Sequence, residues 1–515
     1  MTKEEFAKQA AAECCSAETT AHHGGGAGRP FWNIQASQFM YAPAFCFQKI
    51  PGIHRYLYTA KDENGGVHTF EASNAQALLA PIWAELPEGV VELTVHSLDE
   101  DGNKRFLIGA RTFFKLASFP ADLPAAKYGY GEAATRALDY LIEQDFISYW
   151  LDHSVPYPNY NFYVYPSKMI SAIVNGMIDY TKFRPEKKET ALRIARAAAD
   201  YMIGITPKDG AMQGVPPTYY INFRPDPEHC DNLTAGDRIN WIMMIYPAHV
   251  GKAYLNLEAA TGDRKYLDAA RKIAEHYRDN VQENGSWILL RDVHTGEPLR
   301  ADCCDPLERI VPFLMQFYER TGEEIWKTLA DGAIAYVEKT ELASYEWGAQ
   351  FEDSSCSENY SNMTHYGAGA LVRYYAQYHA HDEEKMKIAD DLMRFIEDQF
   401  VVWKRPAPWH LCNFDTSLFH TPCGYEQYGW YVPIDASTGD IIESFVAMYK
   451  AGRGELHLEK AKALADSIIA MQTDAGLIPT HWNSPEYAVA PCNFWINCMF
   501  ASTNSITKLA EVVED

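Results

Sequence analysis

Five stretches of this chain repeat one design, and that repetition limits the fold more than any other feature. They are "FRPEKKETALRIARAAADYM", "TGDRKYLDAARKIAEHYRDN", "TGEEIWKTLADGAIAYVEKT", "HDEEKMKIADDLMRFIEDQF" and "GRGELHLEKAKALADSIIAMQ". Each opens on a turn, often with glycine, and continues with the apolar spacing of an amphipathic helix. Each follows a second, more apolar helix: "PSKMISAIVNGMIDYTK", "INWIMMIYPAHVGKAYLNLEAA", "PLERIVPFLMQFYER", "THYGAGALVRYYAQYHA" and "DIIESFVAMYKA". With a first helix near Gly131 to Trp150 and a last near Asn493 to Val513, the count reaches about twelve helices, or about six hairpins. The unit recurs roughly every 60 to 75 residues, longer than a TPR or ankyrin period, because every second connector is long. Short turns alternating with long loops predict an (α/α)6 toroid, with tight turns on one face and long loops on the other.

Before Tyr128 the period is two. "HRYLYTA" and "VHTFEAS" flank "KDENGG", then "VVELTVHSL" and "KRFLIGARTFF" flank "DEDGN". Asn-Gly and Asp-Gly turns between alternating strands predict two hairpins and a small antiparallel β-sandwich over residues 30–116, which resembles a fibronectin type III module in pattern. Residues 1–29, ending in "HHGGGAGRP", read as an N-terminal arm, either mobile or a short helix with a linker. Its pair His22 and His23 reads as incidental rather than as a metal site. The toroid spans 128–515.

A formal net charge of -24 excludes nucleic acid and anionic membrane as partners, since phosphates would meet a repulsive field. The 11 cysteines lack CxxC spacing, a pattern of free thiols in a reducing compartment. "MTKEEFAKQAAAECC" carries acids where a signal peptide needs basic and apolar residues, and no stretch approaches ~18 apolar residues. These features predict a cytoplasmic protein without a membrane partner.

Six helical hairpins, long aromatic and acidic loops and an accessory β-domain together resemble the six-hairpin glycosidase superfamily. That group includes unsaturated glucuronyl hydrolases, the β-glucuronidases of glycoside hydrolase family 154 and toroidal polysaccharide lyases. The resemblance covers about residues 128 to 513 and implies that the long loops gather on one face around a sugar. Those loops are "TPKDGAMQGVPPTYYINFRPDPEHCDNLTAGD", "NGSWILLRDVHTGEPLRADCCD", "WGAQFEDSSCSENYSNMTHYGAG", "KRPAPWHLCNFDTSLFHTPCGYEQYGWYVPIDASTG" and "GLIPTHWNSPEYAVAPCNFW".

Cleaving a glycosidic bond generally takes two carboxyl groups, one protonated to serve the leaving oxygen and one ionised. Glu352 and Asp353 lie between Phe351 and a Ser-Ser-Cys run, near Trp347 and Tyr360, so one of them is expected to have a raised pKa. Taken singly, either acid reads equally as a helix cap or an exposed turn residue. The opposing carboxyl is Glu426, set among Tyr425, Tyr428 and Trp430, or Asp305, which Pro306 also marks as a helix N-cap. Asp209 either binds sugar hydroxyls or makes a turn with Gly210.

Aromatic rings pack on sugar C–H faces while amides and carboxylates hold hydroxyls, which nominates Trp287, Trp347, Trp409, Trp430, Trp482, Tyr428, Asn359 and Asn362. About half of the tryptophans are expected to fill the core instead. A uronate carboxylate would want a guanidinium fork, for which Arg300, Arg291 and Arg224 are candidates, surface ion pairs being their ordinary use. His365, with Tyr360, Tyr366 and the nearby asparagines, could instead abstract a proton beside a uronate carboxyl, which is lyase or epimerase chemistry.

"HLCNFDTSLFHTPC" sets His410, Cys412, His420 and Cys423 in one loop, but at spacings that suit loop packing better than zinc. HExxH, GxxxxGK[ST] and GxSxG are missing from the sequence, which excludes zincin, P-loop and serine-elbow chemistry. The expectation is a hydrolase that removes a terminal uronic acid from oligosaccharides without metal or cofactor. A uronate lyase or epimerase is the second reading and a non-catalytic carbohydrate-binding or scaffolding toroid the third. A homo-oligomer is compatible with each.

Overall fold

The computed structural model describes residues 1–16, 36–45, 47–219, 236–352, 363–405, 407, 416–428, 430–482 and 494–513. Its N-terminal helix, α1 (Lys3–Cys14), is one of the two forms expected for the arm. Thr2 and Glu5 close a reciprocal capping box at its start, which satisfies two otherwise orphaned N–H groups.

Five strands follow: β1 (Gln38–Phe39), β2 (Tyr56–Asp62), β3 (Val67–Ala72), β4 (Gly89–Leu98) and β5 (Lys104–Lys115). Both predicted hairpins form, and Gly65 at φ +88° and Gly102 at φ +85° supply the left-handed turn positions that residues with a Cβ resist. Where a sandwich of two sheets is expected, the described residues give one sheet in the order β1-β5-β4-β2-β3. No second sheet is needed on its buried face. Phe113 there meets Trp83, Phe39 and Phe45, and β1, paired parallel to β5, lies against a toroid helix.

Beyond Tyr128 the described residues form twelve long helices that alternate between two rings. The outer ones are α2 (Tyr130–Glu143), α4 (Lys188–Ile205), α6 (Arg264–Asn280), α8 (Glu324–Lys339), α10 (Glu383–Phe400) and α12 (Glu455–Met471). The inner ones are α3 (Pro166–Phe183), α5 (Tyr246–Thr261), α7 (Ile310–Thr321), α9 (Tyr366–Tyr378), α11 (Asp435–Lys450) and α13 (Ile496–Val513). Each inner helix packs on the outer helix that follows it, and the last, α13, packs on the first, α2, closing the ring.

The tight turns have local causes. Gly262 (φ +72°) and Gly322 (φ +71°) end α5 and α7 in the left-handed conformation. Asp263 caps α6, which follows α5, and Asp382 caps α10, which follows α9, by accepting main-chain N–H groups. Outer helices are amphipathic: α6 buries Tyr266, Leu267, Ala270, Ile273, Ala274 and Tyr277 along one face. Inner helices bury apolar residues toward the outer ring and join one another through polar ones. Asn256 donates to Asn175 at 2.9 Å, Gln316 to Asn256 at 2.6 Å and Asn504 to Asp179 at 3.0 Å. Arg373 pairs with Asp440 at 2.8 Å and Lys508 with Glu443 at 2.6 Å. Among the described residues no helix is long and apolar enough to cross a membrane.

The N-terminal part is locked to the ring by the end of α10. Asp398 accepts the main-chain N–H groups of Met40 and Tyr41. Glu397 accepts from Lys460 at 2.6 Å, Trp403 at 2.8 Å and the Tyr41 hydroxyl at 3.0 Å, with both charged side chains buried. Removing one partner of a buried pair strands the other. Lys460→Met should therefore cost roughly 3–5 kcal/mol, read as a lower urea midpoint, and adding Glu397→Leu should recover part of the loss.

Candidate active site

Every long connector leads from an outer helix into the N-terminus of an inner one. The six inner N-termini therefore open on one face, together with the positive ends of their dipoles. The side chains of those first turns, with the connectors above them, form the candidate site.

Glu352 sits in the connector between α8 and α9, whose stems are tied by a Gly348–Met363 bridge and by Thr364 N donating to Trp347 O at 2.9 Å. Its side chain is buried. One carboxylate oxygen takes the Lys168 ammonium at 2.7 Å and the other takes the Tyr246 hydroxyl. These partners come from the first turns of α3 and α5. The Glu352 carbonyl accepts from the Tyr219 hydroxyl at 2.6 Å and from Arg238 Nη1 at 2.9 Å. Burial alone would raise this carboxyl, but Lys168, followed by Tyr246, outweighs it and holds the pKa below the ordinary value. Of the two acids of which one was expected to be raised, Glu352 is therefore not that one, because its burial arrives with an ammonium attached. Asp353 lies outside the described residues.

Asp305, by contrast, is raised. Burial, then the neighbouring Glu341, pushes it to about 7. Asp305 also makes the cap its Pro306 predicts: Oδ1 accepts from Leu307 N at 2.9 Å, while its own N–H goes to Gln350 at 2.9 Å. Oδ2 abuts the first turn of α9 at Gly367, where a Cβ would come within 2.4 Å, so only glycine lets the two helix ends approach this closely. Arg309 feels the charge of both carboxyls. Its guanidinium lies 4.5 Å from the Tyr246 ring centroid, bonds His249 at 3.0 Å and pairs with Glu308 at 3.1 Å. Burial opposes its charge, which Glu308, Tyr246, Glu352 and Asp305 together secure. Burial and then Arg309 push His249 well below its usual range, so the neutral ring can accept that bond. Asp305, Arg309, Phe351, Thr364 and Tyr366 line a cavity of about 10 Å³, room for roughly one water.

Glu426 belongs to a hairpin of β6 (Cys423–Gln427) and β7 (Trp430–Pro433). Half-buried, it acts electrostatically on Tyr366, Asp435 and Cys498. The Cys498 thiol, raised by burial and then by Asp435, also feels Lys168, Glu426 and Glu352, which sets those groups around it. Asp435, the first residue of α11, is a further buried acid: burial drives its carboxyl far up, and Ser502 bonds it at 2.8 Å.

The remaining sequence candidates divide. His365, named as a possible proton shuttle, is fully buried, its Nδ1 3.3 Å from an Asp440 that Arg373 already holds. Burial pushes the Tyr366 hydroxyl up, and Ser437 bonds it at 2.9 Å, which disfavours it as a base. Trp287, Trp347 and Trp482 are core side chains, not sugar platforms; a large ring beside packed helices gains more from burial there than on a rim. Arg300 pairs with Asp302 at 2.6 Å, and Arg291 serves its own turn through Gly296 at 2.7 Å. Asp209 is exposed beside Gly210 at φ +80°, the turn alternative. Tyr428 spends its hydroxyl on Gln399 and stacks on Phe400. Asn359, Tyr360, Asn362, Arg224 and Trp409 lie outside the described residues, as does the Trp430 side chain. So do His410 and Cys412; His420 lies 5.9 Å from the Trp482 ring and Cys423 is buried.

Sequence reading missed Lys168, Tyr246, His249, Arg309 and Asp435. Their common signal is a polar residue in the first turns of an otherwise apolar inner helix, as in "IYPAHVGKAY".

No family model and no curated protein matches the chain. Among solved structures it is similar to a family 76 glycoside hydrolase from a bovine Bacteroides thetaiotaomicron strain, at 12% identity over 90% of this chain and 93% of that one, with TM-score 0.48. It is also similar to a cellobiose 2-epimerase from Spirochaeta thermophila, at 10% identity over 75% and 97%, with TM-score 0.49. A third is an unsaturated glucuronyl hydrolase from Streptococcus agalactiae, at 13% identity over 74% and 90%, with TM-score 0.46. Likenesses this distant assign neither family nor activity.

The Lys168–Glu352 pair is open to direct test. Lys168→Met removes the main charge that opposes burial, so the Glu352 carboxyl should move from below to above the usual carboxylate range. Isotope-edited infrared titration, with Glu352→Gln to assign the band, would show the shift; a carboxylate band that still titrates at the wild-type pH would refute it.

Proposed function

We propose that the protein is a glycoside hydrolase that removes a terminal uronic acid from oligosaccharides. One observation carries this reading: Glu352 and Asp305 lie at the same face, both interact with Arg309, and their surroundings drive their proton affinities in opposite directions. A pair of acids separated in this way is what glycosidic cleavage uses. Asp305, holding its proton to about 7, serves as general acid to the leaving oxygen. Glu352, ionised and fixed by Lys168 and Tyr246, serves as base or nucleophile. Glu426, half-buried in its hairpin, holds sugar hydroxyls.

The anionic sugar follows from the charge of the face. Six helix N-termini favour negative groups. Arg238 is the guanidinium best placed for a carboxylate: it bonds the Glu352 carbonyl through Nη1 and, among the described residues, has no ion pair. Proton abstraction has less support, since His365 is fully buried and the Tyr366 hydroxyl is bonded to Ser437.

The test is to incubate the protein with aryl glucuronides and uronic-acid disaccharides, following aryl release, reducing ends and unsaturated-uronate absorbance. Hydrolysis gives the first two without the third. Absorbance alongside reducing ends would establish a lyase, and silence on all three with binding retained would leave a binding protein.

Given hydrolysis, activity should fall as pH rises through about 7, where Asp305 loses its proton, and on the acid side only below the usual carboxylate range, where Glu352 gains one. Asp305→Asn keeps the helix cap but not the acid. It should lower kcat by about 10²- to 10⁴-fold and abolish the alkaline limb. Arg238→Lys loses the planar fork, so KM for a glucuronide should rise by about 10- to 100-fold. KM for the matching neutral glucoside should stay the same; equal rises for both would remove Arg238 from carboxylate recognition.

A further inference from the structure

Gln38 and Gln399 form a reciprocal pair across the junction between the N-terminal module and the ring. Gln38 Nε2 donates to the main-chain oxygen of Gln399 at 3.0 Å, and Gln399 Nε2 donates to that of Gln38 at 3.0 Å. Both side chains are buried. On this pair end all three tyrosine hydroxyls of the β6–β7 hairpin. Tyr425 bonds the Gln399 carbonyl, Tyr428 bonds Gln399 Oε1, and Tyr431 bonds Gln38 Oε1 at 2.7 Å.

The hairpin is stitched in turn to the Glu352 connector. Thr364 bridges Gln427, and Tyr428 N donates to Met363 O at 3.2 Å. Met363 and Thr364 are the residues that bind Gly348 and Trp347, so one continuous hydrogen-bonded path runs from Gln38 to both stems of that connector. Glu426 stands on the same path, between Tyr425 and Gln427.

We infer that Gln38 is a positioning residue, through which the N-terminal module sets the place of the hairpin carrying Glu426 and braces the connector carrying Glu352. Buried hydroxyls cannot turn to water when a partner is lost, so the hairpin must shift to satisfy them. A displacement of about 1 Å at a reacting group can cost on the order of 100-fold in rate. The module therefore braces the site from behind the hairpin. The kinetic half of this inference rests on the hydrolase reading; the structural half does not.

Two variants of the full chain test it. Gln38→Met keeps the side-chain volume and removes the amide, and Tyr431→Phe removes one hydroxyl, which keeps the test open if the first variant folds poorly. Hydrogen exchange should speed up at least tenfold at the amides of Cys423–Gln427 and at Thr364, and stay unchanged in α2. With an aryl glucuronide, kcat should fall by about 10- to 100-fold for Gln38→Met and less for Tyr431→Phe, with KM within about twofold. In the double variant the effects should be less than additive, because both remove the same bond. Unchanged exchange in both variants overturns the inference, as does faster exchange with unchanged kcat. If exchange quickens while the wild-type protein cleaves no uronide, the hydrolase reading fails and the dependence of the hairpin on Gln38 stands.

Discussion

The packing of α13 against α2, the last toroid helix against the first, is the constraint on which the rest depends. A row of hairpins left open would expose an apolar flank at each end, and closure buries both. Closure also forces the inner helices to face one another, which is why Asn175, Asn256, Gln316, Arg373, Asp440 and Glu443 meet across helix boundaries instead of meeting solvent singly. With alternating connector lengths, it brings six inner N-termini to one face. The electrostatics of the site thus begin with the topology, before any particular side chain is placed.

Within that face, similar chemistry is tuned to opposite ends by small differences in company. Glu352 and Asp305 are both packed around by protein. Glu352 has an ammonium and a hydroxyl on its two oxygens, whereas Asp305 has a second acid, Glu341, for a neighbour and a main-chain N–H for a partner. The first stays ionised and the second keeps its proton to about 7. Arg309, bonded to a neutral His249, keeps the two from being independent. Asp305 shows that a structural and a chemical role can share one carboxyl: Oδ1 caps α7 while Oδ2 faces Gly367.

The N-terminal module enters this account through hydrogen bonds rather than surface contact. Asp398 reads the backbone of Met40 and Tyr41, Glu397 anchors Tyr41, and Gln399 exchanges amide bonds with Gln38. Three consecutive residues at the end of α10 therefore hold the module, and the third also holds the hairpin beside the site. A buried polar junction of this kind is costly to disturb, because each group lost leaves others unpaired.

The sequence by itself determined the helical repeat, the two β-hairpins and the alternation of short and long connectors. These are local matters of hydrophobic period, capping aspartates and left-handed glycines such as Gly262 and Gly65. It also drew attention to Glu352, Asp305 and Glu426, because acids crowded among rings are visible along the chain. It could not say which acid keeps its proton, since that depends on Lys168, 184 residues from Glu352 in sequence, and on Glu341 beside Asp305. Nor could it sort Trp347 and Trp482 into the core, join β1 to β5 in a single sheet, or put Gln38 behind the hairpin. Those outcomes are decided by what packs against what across hundreds of residues, and only the closed tertiary structure sets that.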